Sequence, residues 1–320
     1  MNKGANDFKQ MQNELQKALD ILDASQGPLQ PLLSTGNKSL DLKIQETDSL
    51  LSRCEAVVKQ EPQTNKPILR VIYHFACSGG SLVSKCIGVM PNTYLLSEVH
   101  PHSTLHLQFA EKARYLPTDY TTLSRYANIP DIDELSEELF LSSIVGIEQH
   151  VRKQAGKLVL RDHSHVDFCT ERAVVEKSTL NRVLSGSFTL LNVVTIRNPV
   201  DAYLSLKKNG WVHFSPANFD EYCRRLLSFT AQFRRKDIVR YEDFVDSPDR
   251  TLKKICRKLD LRFSPDYRDL FNTARVTGDS GRRSDYIAPR ERREYDSTFK
   301  KEVNKSKHFR IVSKKYGYTL

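Results

Sequence analysis

The sequence predicts an α/β fold, a central parallel sheet with helices on both faces, preceded by a helical extension. Two observations predict the sheet. From Lys66 onward, short β-branched and apolar runs alternate with helical patterns. Those runs are apolar without interruption, as in strands covered on both faces. A third observation sets the extension apart: residues 1–62 carry three- and four-residue apolar spacing and no strand pattern. The expected division is a hairpin-like helical extension over 1–62 and an α/β domain over 63–320.

In the extension, Phe8, Met11, Leu15, Ala18, Leu19 and Leu22 form one helical stripe. The run Gly27-Pro28-Leu29-Gln30-Pro31 breaks it, and a second stripe runs through Leu40, Ile44, Thr47, Leu51, Cys54 and Val58 to Pro62. Left bare, such stripes would be wet. The pair therefore packs on the main domain, joins two copies into a homo-oligomer, or docks a partner. In the α/β part, strands are expected at Ile68–His74, Tyr94–Ser97, Lys157–Arg161, Leu191–Ile196 and Ile238–Tyr241. Helical patterns fill Ile132–Gln154, Ala217–Phe233 and Pro248–Leu259.

Composition narrows the classes. With 49 Lys+Arg against 39 Asp+Glu the formal charge is +10, which favours anionic partners. From Gly281 to Leu320, twelve basic residues face five acidic ones, and the part beyond Lys300 reads equally as a solvated basic tail. Basic residues and aromatics do not interleave as on nucleic-acid surfaces, so nucleic acid is not the expected partner. No apolar run approaches the roughly twenty residues of a membrane span. The polar N-terminus has no signal-like apolar region, so a cytoplasmic location is expected. Six cysteines form no CxxC pair and are expected to be thiols. No metal-ligand spacing occurs, and no metal is expected.

Ligands of such sheets bind beyond the carboxyl ends of the strands. The first strand runs into Cys77-Ser78-Gly79-Gly80-Ser81-Leu82 and then an apolar helical pattern. Glycines let the backbone approach an anion, and the helix start supplies free N–H groups. Ser78 and Ser81 add hydroxyls. The turn equally suits tight packing without a ligand. It is not GxxxxGK[ST], since Lys85 falls inside the following helix. The fourth strand runs into Arg197-Asn198-Pro199, and Ser205 follows Arg197 by eight residues, about two helical turns. Arg197 suits a phosphate, or an ion pair with Asp201.

Together these segments resemble the nucleotide-binding elements of the PAPS-dependent sulfotransferases, of the carbohydrate and tyrosyl-protein branch and of bacterial type. Val239-Arg240-Tyr241-Glu242-Asp243-Phe244 with Ser247-Pro248 is similar to a further family segment. So is Thr277-Gly278-Asp279-Ser280-Gly281-Arg282-Arg283, which resembles its late glycine-and-base loop. The resemblance spans Lys66 to Arg293 and implies a P-loop NTPase-like fold. It implies PAPS as sulfuryl donor and PAP as product, with no metal. Cys77, Ser78, Gly79, Gly80, Ser81 and Leu82 would hold the 5′-phosphosulfate. Arg197 and Ser205, with Ser280, Gly281, Arg282 and Arg283, would hold the nucleotide's 3′ side.

One departure stands out: many family members carry Lys or Arg where this chain has Cys77. Arg161, ending the third strand, is the expected substitute cation, with His74 and Arg282 in reserve. Glu98 and His163 are the candidate catalytic bases, His165 a weaker one. Each has a structural alternative: Glu98 as an arginine's ion-pair partner, the histidines as neighbours of a helix start. The acceptor implied is a hydroxyl, expected on a glycan or cell-surface precursor. A non-catalytic PAP- or nucleotide-binding protein is the alternative, and a P-loop-type kinase a remoter one.

Overall fold

The computed structural model describes residues 66–104, 107, 113, 115–278 and 286–319, together with position 17. The chain divides into two compact units, Met1–Asn65 and Lys66–Leu320. The expected two-helix extension lies outside the described residues, whereas the expected sheet falls wholly within the second unit.

Five strands form one wholly parallel sheet: β1 (Ile68–His74), β2 (Thr93–Val99), β3 (Lys157–Asp162), β4 (Thr189–Ile196) and β5 (Ile238–Arg240). Their order is β2-β3-β1-β4-β5. The chain fills one side of β1 with β3 and β2, then passes to the other side for β4 and β5. That reversal beside β1 creates the crevice in which ligands of open α/β sheets sit. The expected strands all formed: β1 with the expected bounds, β2, β3 and β4 extended by one to three residues, and β5 trimmed by one. The expected helices appear as Ile132–Lys153, Phe219–Ala231 and Pro248–Lys258.

The side chains of β1 alternate between two core clusters. Leu69, Val71 and Tyr73 enter one core cluster, with residues from the helices Ile132–Lys153, Pro199–Lys208 and Phe219–Ala231. Ile72 enters the opposite cluster, with the helices Gly80–Gly88 and Pro248–Lys258. Both faces are covered, so apolar side chains point both ways, with Arg70 and His74 as the polar positions of the second face. Arg70, on the second face, is buried and donates to Leu259 O at 2.6 Å and to Asp260 Oδ2 at 2.9 Å.

The basic C-terminal stretch is not a solvated tail. It folds into the helices Ser297–Lys305 and Lys307–Tyr316. Phe299, Val303, Phe309, Val312 and Tyr316 are buried in the first core cluster. Ser306 links the two helices, and its hydroxyl accepts from Phe309 N at 3.0 Å while donating to Asp220 Oδ1 at 2.6 Å. Charge counting over this segment concealed an apolar stripe at three- and four-residue spacing. Among the described residues no helix is long and apolar enough to cross a membrane.

Candidate active site

All five strand ends contribute to one cavity of about 810 Å³. Cys77 to Leu82 follow β1; Ser97 and Glu98 lie in the last three residues of β2; Arg161 is next to last in β3, with His163 just beyond; Arg197 follows β4 and Tyr241 follows β5. The candidates scattered along the sequence thus meet because a parallel sheet brings its carboxyl ends to one edge.

The turn after β1 has the geometry of an anion cradle. Cys77 and Gly79 are left-handed, with φ of 61° and 80°. The N–H groups of Leu82 and Val83 return to Gly79 O at 3.1 and 3.3 Å. Those of Gly79, Gly80 and Ser81 donate to no described residue, at the positive end of the Gly80–Gly88 helix. Neither glycine tolerates a side chain. A Cβ on Gly79 would meet Tyr241 Cδ2 at 2.2 Å, and one on Gly80 would meet His74 Cγ at 2.5 Å. Of the two expected hydroxyl donors, Ser78 is committed to the sheet, donating to Thr195 O at 3.0 Å. Ser81 donates to Gly278 O at 3.1 Å.

Beside the turn lies a buried polar knot. In the register of β1 and β3, Ile72 pairs with Arg161, which brings Arg161 near His74, two residues on along the same face. Arg161 is only 2% exposed. Its Nη1 donates to Ser97 Oγ at 3.0 Å and to Thr277 O at 2.8 Å. Its Nη2 donates to His74 Nε2 at 3.1 Å and to Ser81 Oγ at 3.0 Å. The same nitrogen stands 3.2 Å from Glu98 Oε1. Because an arginine only donates, His74 Nε2 is the acceptor and its ring is neutral. Burial, then the neighbouring Arg161, His163 and His165 charges, hold its pKa well below the ordinary value.

Glu98 has a left-handed backbone, φ 56°, and its side chain is 18% exposed at the cavity wall. Gly278, with φ 61°, lies against its carboxylate, where a Cβ would meet Oε1 at 1.9 Å. The pairing of Glu98 with an arginine and its position in the cavity therefore coexist. His163 also lines the cavity, its Nδ1 3.0 Å from Ser103 Oγ. His165 stacks on it, centroids 6.2 Å apart, and its Nε2 lies 3.1 Å from His213 Nδ1. Burial and these two rings push the His165 pKa down to about 3.

A second group of cations lines the same cavity. Arg197 lies over the Tyr241 ring, 5.0 Å from its centroid. It does not pair with Asp201, which holds Arg292 Nε at 2.8 Å and the Arg293 amide at 3.0 Å. Arg293 Nε then donates to Ser205 Oγ at 3.0 Å. Burial pushes the Cys77 thiol up to about 11, opposed by Arg197 and Arg293. Arg197 and Arg293 are thus the cations that act on the Cys77 thiol, while Arg161 contacts Ser81 and Glu98. A thiol so held is uncharged near neutrality and is not poised as a nucleophile.

Ser280, Gly281, Arg282 and Arg283 lie outside the described residues. The sequence reading missed Arg290 and Arg293, which line the cavity with Lys208, Trp211 and His213. The run Arg290-Glu291-Arg292-Arg293 was a readable cluster of charge, but only the fold brings it to Ser205. Among the described residues, no group of three or more His, Cys, Asp or Glu is arranged to hold a metal ion.

No protein-family model matches the chain, and no curated protein matches it. Among solved structures it is similar to the sulfotransferase domain from the curacin biosynthetic pathway. That pair is 14% identical with a TM-score of 0.49, covering 80% of this chain and 100% of the other. The sulfotransferase domain of the Synechococcus PCC 7002 olefin synthase is 15% identical, with a TM-score of 0.47, covering 82% and 98%. A sulfotransferase from Alicyclobacillus acidocaldarius is 15% identical, with a TM-score of 0.33, covering 64% and 89%.

Proposed function

We propose that this chain is a PAPS-dependent sulfotransferase that sulfates an acceptor hydroxyl and releases PAP. One observation carries the reading: a single cavity holds two separate anion-binding arrangements. One is the Gly79–Ser81 amide cradle, braced by Arg161 through Ser81. The other is Arg197 with the Arg293–Ser205 pair. A nucleotide with phosphate-type groups on both its 5′ and 3′ sides matches two such sites, whereas AMP has a group for only one.

The reaction asks little covalent chemistry of the protein. The acceptor oxygen attacks sulfur, the bond from sulfur to the phosphate oxygen breaks, and PAP departs with that electron pair. The acceptor proton passes to Glu98, which lines the cavity with Arg161 Nη2 beside its Oε1. His163 is the second candidate for that proton. Charge gathering on the departing phosphate is met by the turn's amides and by the field of Arg197 and Arg293. Trp211 lines the cavity, and an aromatic ring there suits the C–H side of a sugar, so the acceptor proposed is a glycan or a cell-surface precursor. The five described cysteines are free thiols, in keeping with a cytoplasmic enzyme.

Titration calorimetry with PAP, AMP and ATP tests the donor reading. PAP is expected to bind most tightly. Arg197→Ala and Arg293→Ala should each weaken PAP about tenfold or more, a charge-assisted hydrogen bond being worth about 1.5–3 kcal/mol. AMP should be nearly indifferent to both. Equal affinity for PAP and AMP would sink the assignment.

A further inference from the structure

The charge excess of the chain has a definite location that the cavity does not absorb. The helix Lys307–Tyr316 turns Phe309, Val312 and Tyr316 into the core. Its outward arc consists of Lys307, Arg310, Ile311, Lys314 and Lys315, all exposed. At 100° per residue these five span about 140° of the helix, with Ile311 between the cations. Ile311 is 52% exposed. The preceding helix adds exposed Lys300, Lys301 and Lys305. Arg235, from another element, is not on this arc: its guanidinium lies 4.9 Å from the ring centroid of the inward-facing Tyr316.

Among the described residues no Asp or Glu forms an ion pair with these lysines or with Arg310. From Val303 to Leu320 the sequence contains no Asp or Glu. Glu302, just before, is directed inward and accepts from Phe219 N at 2.6 Å. Asp220 is occupied by Ser306 and His308. Clustered like charges repel one another, and an external anion relieves that repulsion.

We infer that this face binds the surface of an anionic phospholipid bilayer. Three features favour a bilayer over a polyanionic chain. The face is convex, the outer arc of a helix, so a plane can touch it along its length. Its cations are six lysines to one arginine among the exposed positions just named on the two helices. Lysine is a point charge suited to diffuse attraction, whereas fitted phosphate or sulfate recognition favours the arginine fork. Lastly, Ile311 is out of place on a surface meant for a polymer of charges. At a bilayer interface it enters the boundary region while the lysine stems extend their ammonium groups to the headgroups. Arg240 Nη1 donates to Tyr316 O, and Asn198 Nδ2 to Thr319 O, each at 3.3 Å. The basic helix is thereby tied to the residue that follows Arg197.

The test uses the full chain and vesicles of phosphatidylcholine alone or mixed equally with phosphatidylglycerol, separated by sedimentation. Binding is expected only to the anionic vesicles, weakening as salt shortens the screening length. Each basic residue near an anionic leaflet contributes about fivefold, so K307Q/K314Q/K315Q should weaken partitioning about a hundredfold. Ile311→Ser should weaken it about three- to tenfold, with a loss that persists at high salt. R250Q/K254Q/R257Q, an equal charge loss on the exposed side of another helix, should change it little. All these positions are exposed, and matched melting curves confirm folding. Two results overturn the inference. One is equal loss in the two triple variants, which would make binding a matter of net charge. The other is binding of heparin or duplex DNA without binding of anionic vesicles, which would make the partner a polyanion.

Discussion

Arg161 Nη2 and Glu98 Oε1 stand 3.2 Å apart, joining the end of β3 to the end of β2 across the floor of the cavity. The same guanidinium holds Ser81 at the anion turn and the Thr277 carbonyl. One buried cation therefore sets the positions of the proposed base, the turn and the approach to the glycine-and-base loop. This arrangement separates residues that face a substrate from residues that hold them in place.

Arg161→Ala should unsettle the fold as well as the reaction. It would leave the Glu98 carboxylate without its cation and remove the donors to Ser97, Ser81 and His74. Deleting one partner of a buried pair costs about 3–5 kcal/mol, roughly a ten-degree fall in melting temperature for a domain of this size. PAP affinity should fall too, because Ser81 loses its brace. A variant that melts like the parent and binds PAP normally would show the knot to be incidental.

Glu98→Gln separates chemistry from packing. The amide keeps the size and can still accept from Arg161, but it cannot take the acceptor's proton. Turnover should drop by about 10²–10⁴-fold, while calorimetry shows PAP binding within a small factor of the parent. His163→Ala is the control. If that variant loses activity and Glu98→Gln retains it, the proton goes to the histidine.

The parts of this molecule that were legible in the sequence are those governed by local pattern. Short, mostly apolar runs marked all five strands, since a strand covered on both faces turns apolar side chains to each of them. The turn after β1 was legible because glycines there are dictated by backbone angle and by the Tyr241 and His74 rings. Arg161 and Glu98 were each visible at a strand end. Their mutual bond was not, since it depends on β2 and β3 lying side by side, and nothing in the chain order states that. Arg293 was hidden for the same reason, lying 88 residues from Ser205. The C-terminal helices were obscured by their own charge: the lysines that suggested a tail form the outer side of a stripe that buries Phe309 and Val312.

Acid should destabilise the fold through His165. Its pKa falls from an ordinary 6.5 to about 3 on folding. Between those values the unfolded chain binds a proton that the native state does not, so stability declines as pH falls below 6.5. One such proton corresponds to about 1.4 kcal/mol per pH unit. His165→Gln keeps a hydrogen-bonding partner for His213 and removes the titration. The stability difference between parent and variant, from urea unfolding, should therefore shift against the parent from pH 7 to pH 5. A difference that stays constant over that range would mean the ring carries its proton when folded.

The close approach of Tyr241 to the anion turn should also be measurable. Gly79 has φ 80°, and its absent side chain leaves the space occupied by the tyrosine ring. Gly79→Ala meets two obstacles. A left-handed backbone costs an L-residue about 1–2 kcal/mol, and the new methyl overlaps the ring. Tyr241 cannot retreat freely, because its ring carries the Arg197 guanidinium on one face of the cavity. The single variant should thus lose stability and also weaken PAP, by shifting the turn and Arg197 together. Tyr241→Ala opens the space and removes the overlap while leaving the backbone cost. In a double-mutant cycle, the loss from Gly79→Ala should shrink in the Tyr241→Ala background to about the backbone cost alone. Additive losses would show that the overlap is relieved elsewhere, and that the turn and the tip of β5 are not mechanically joined.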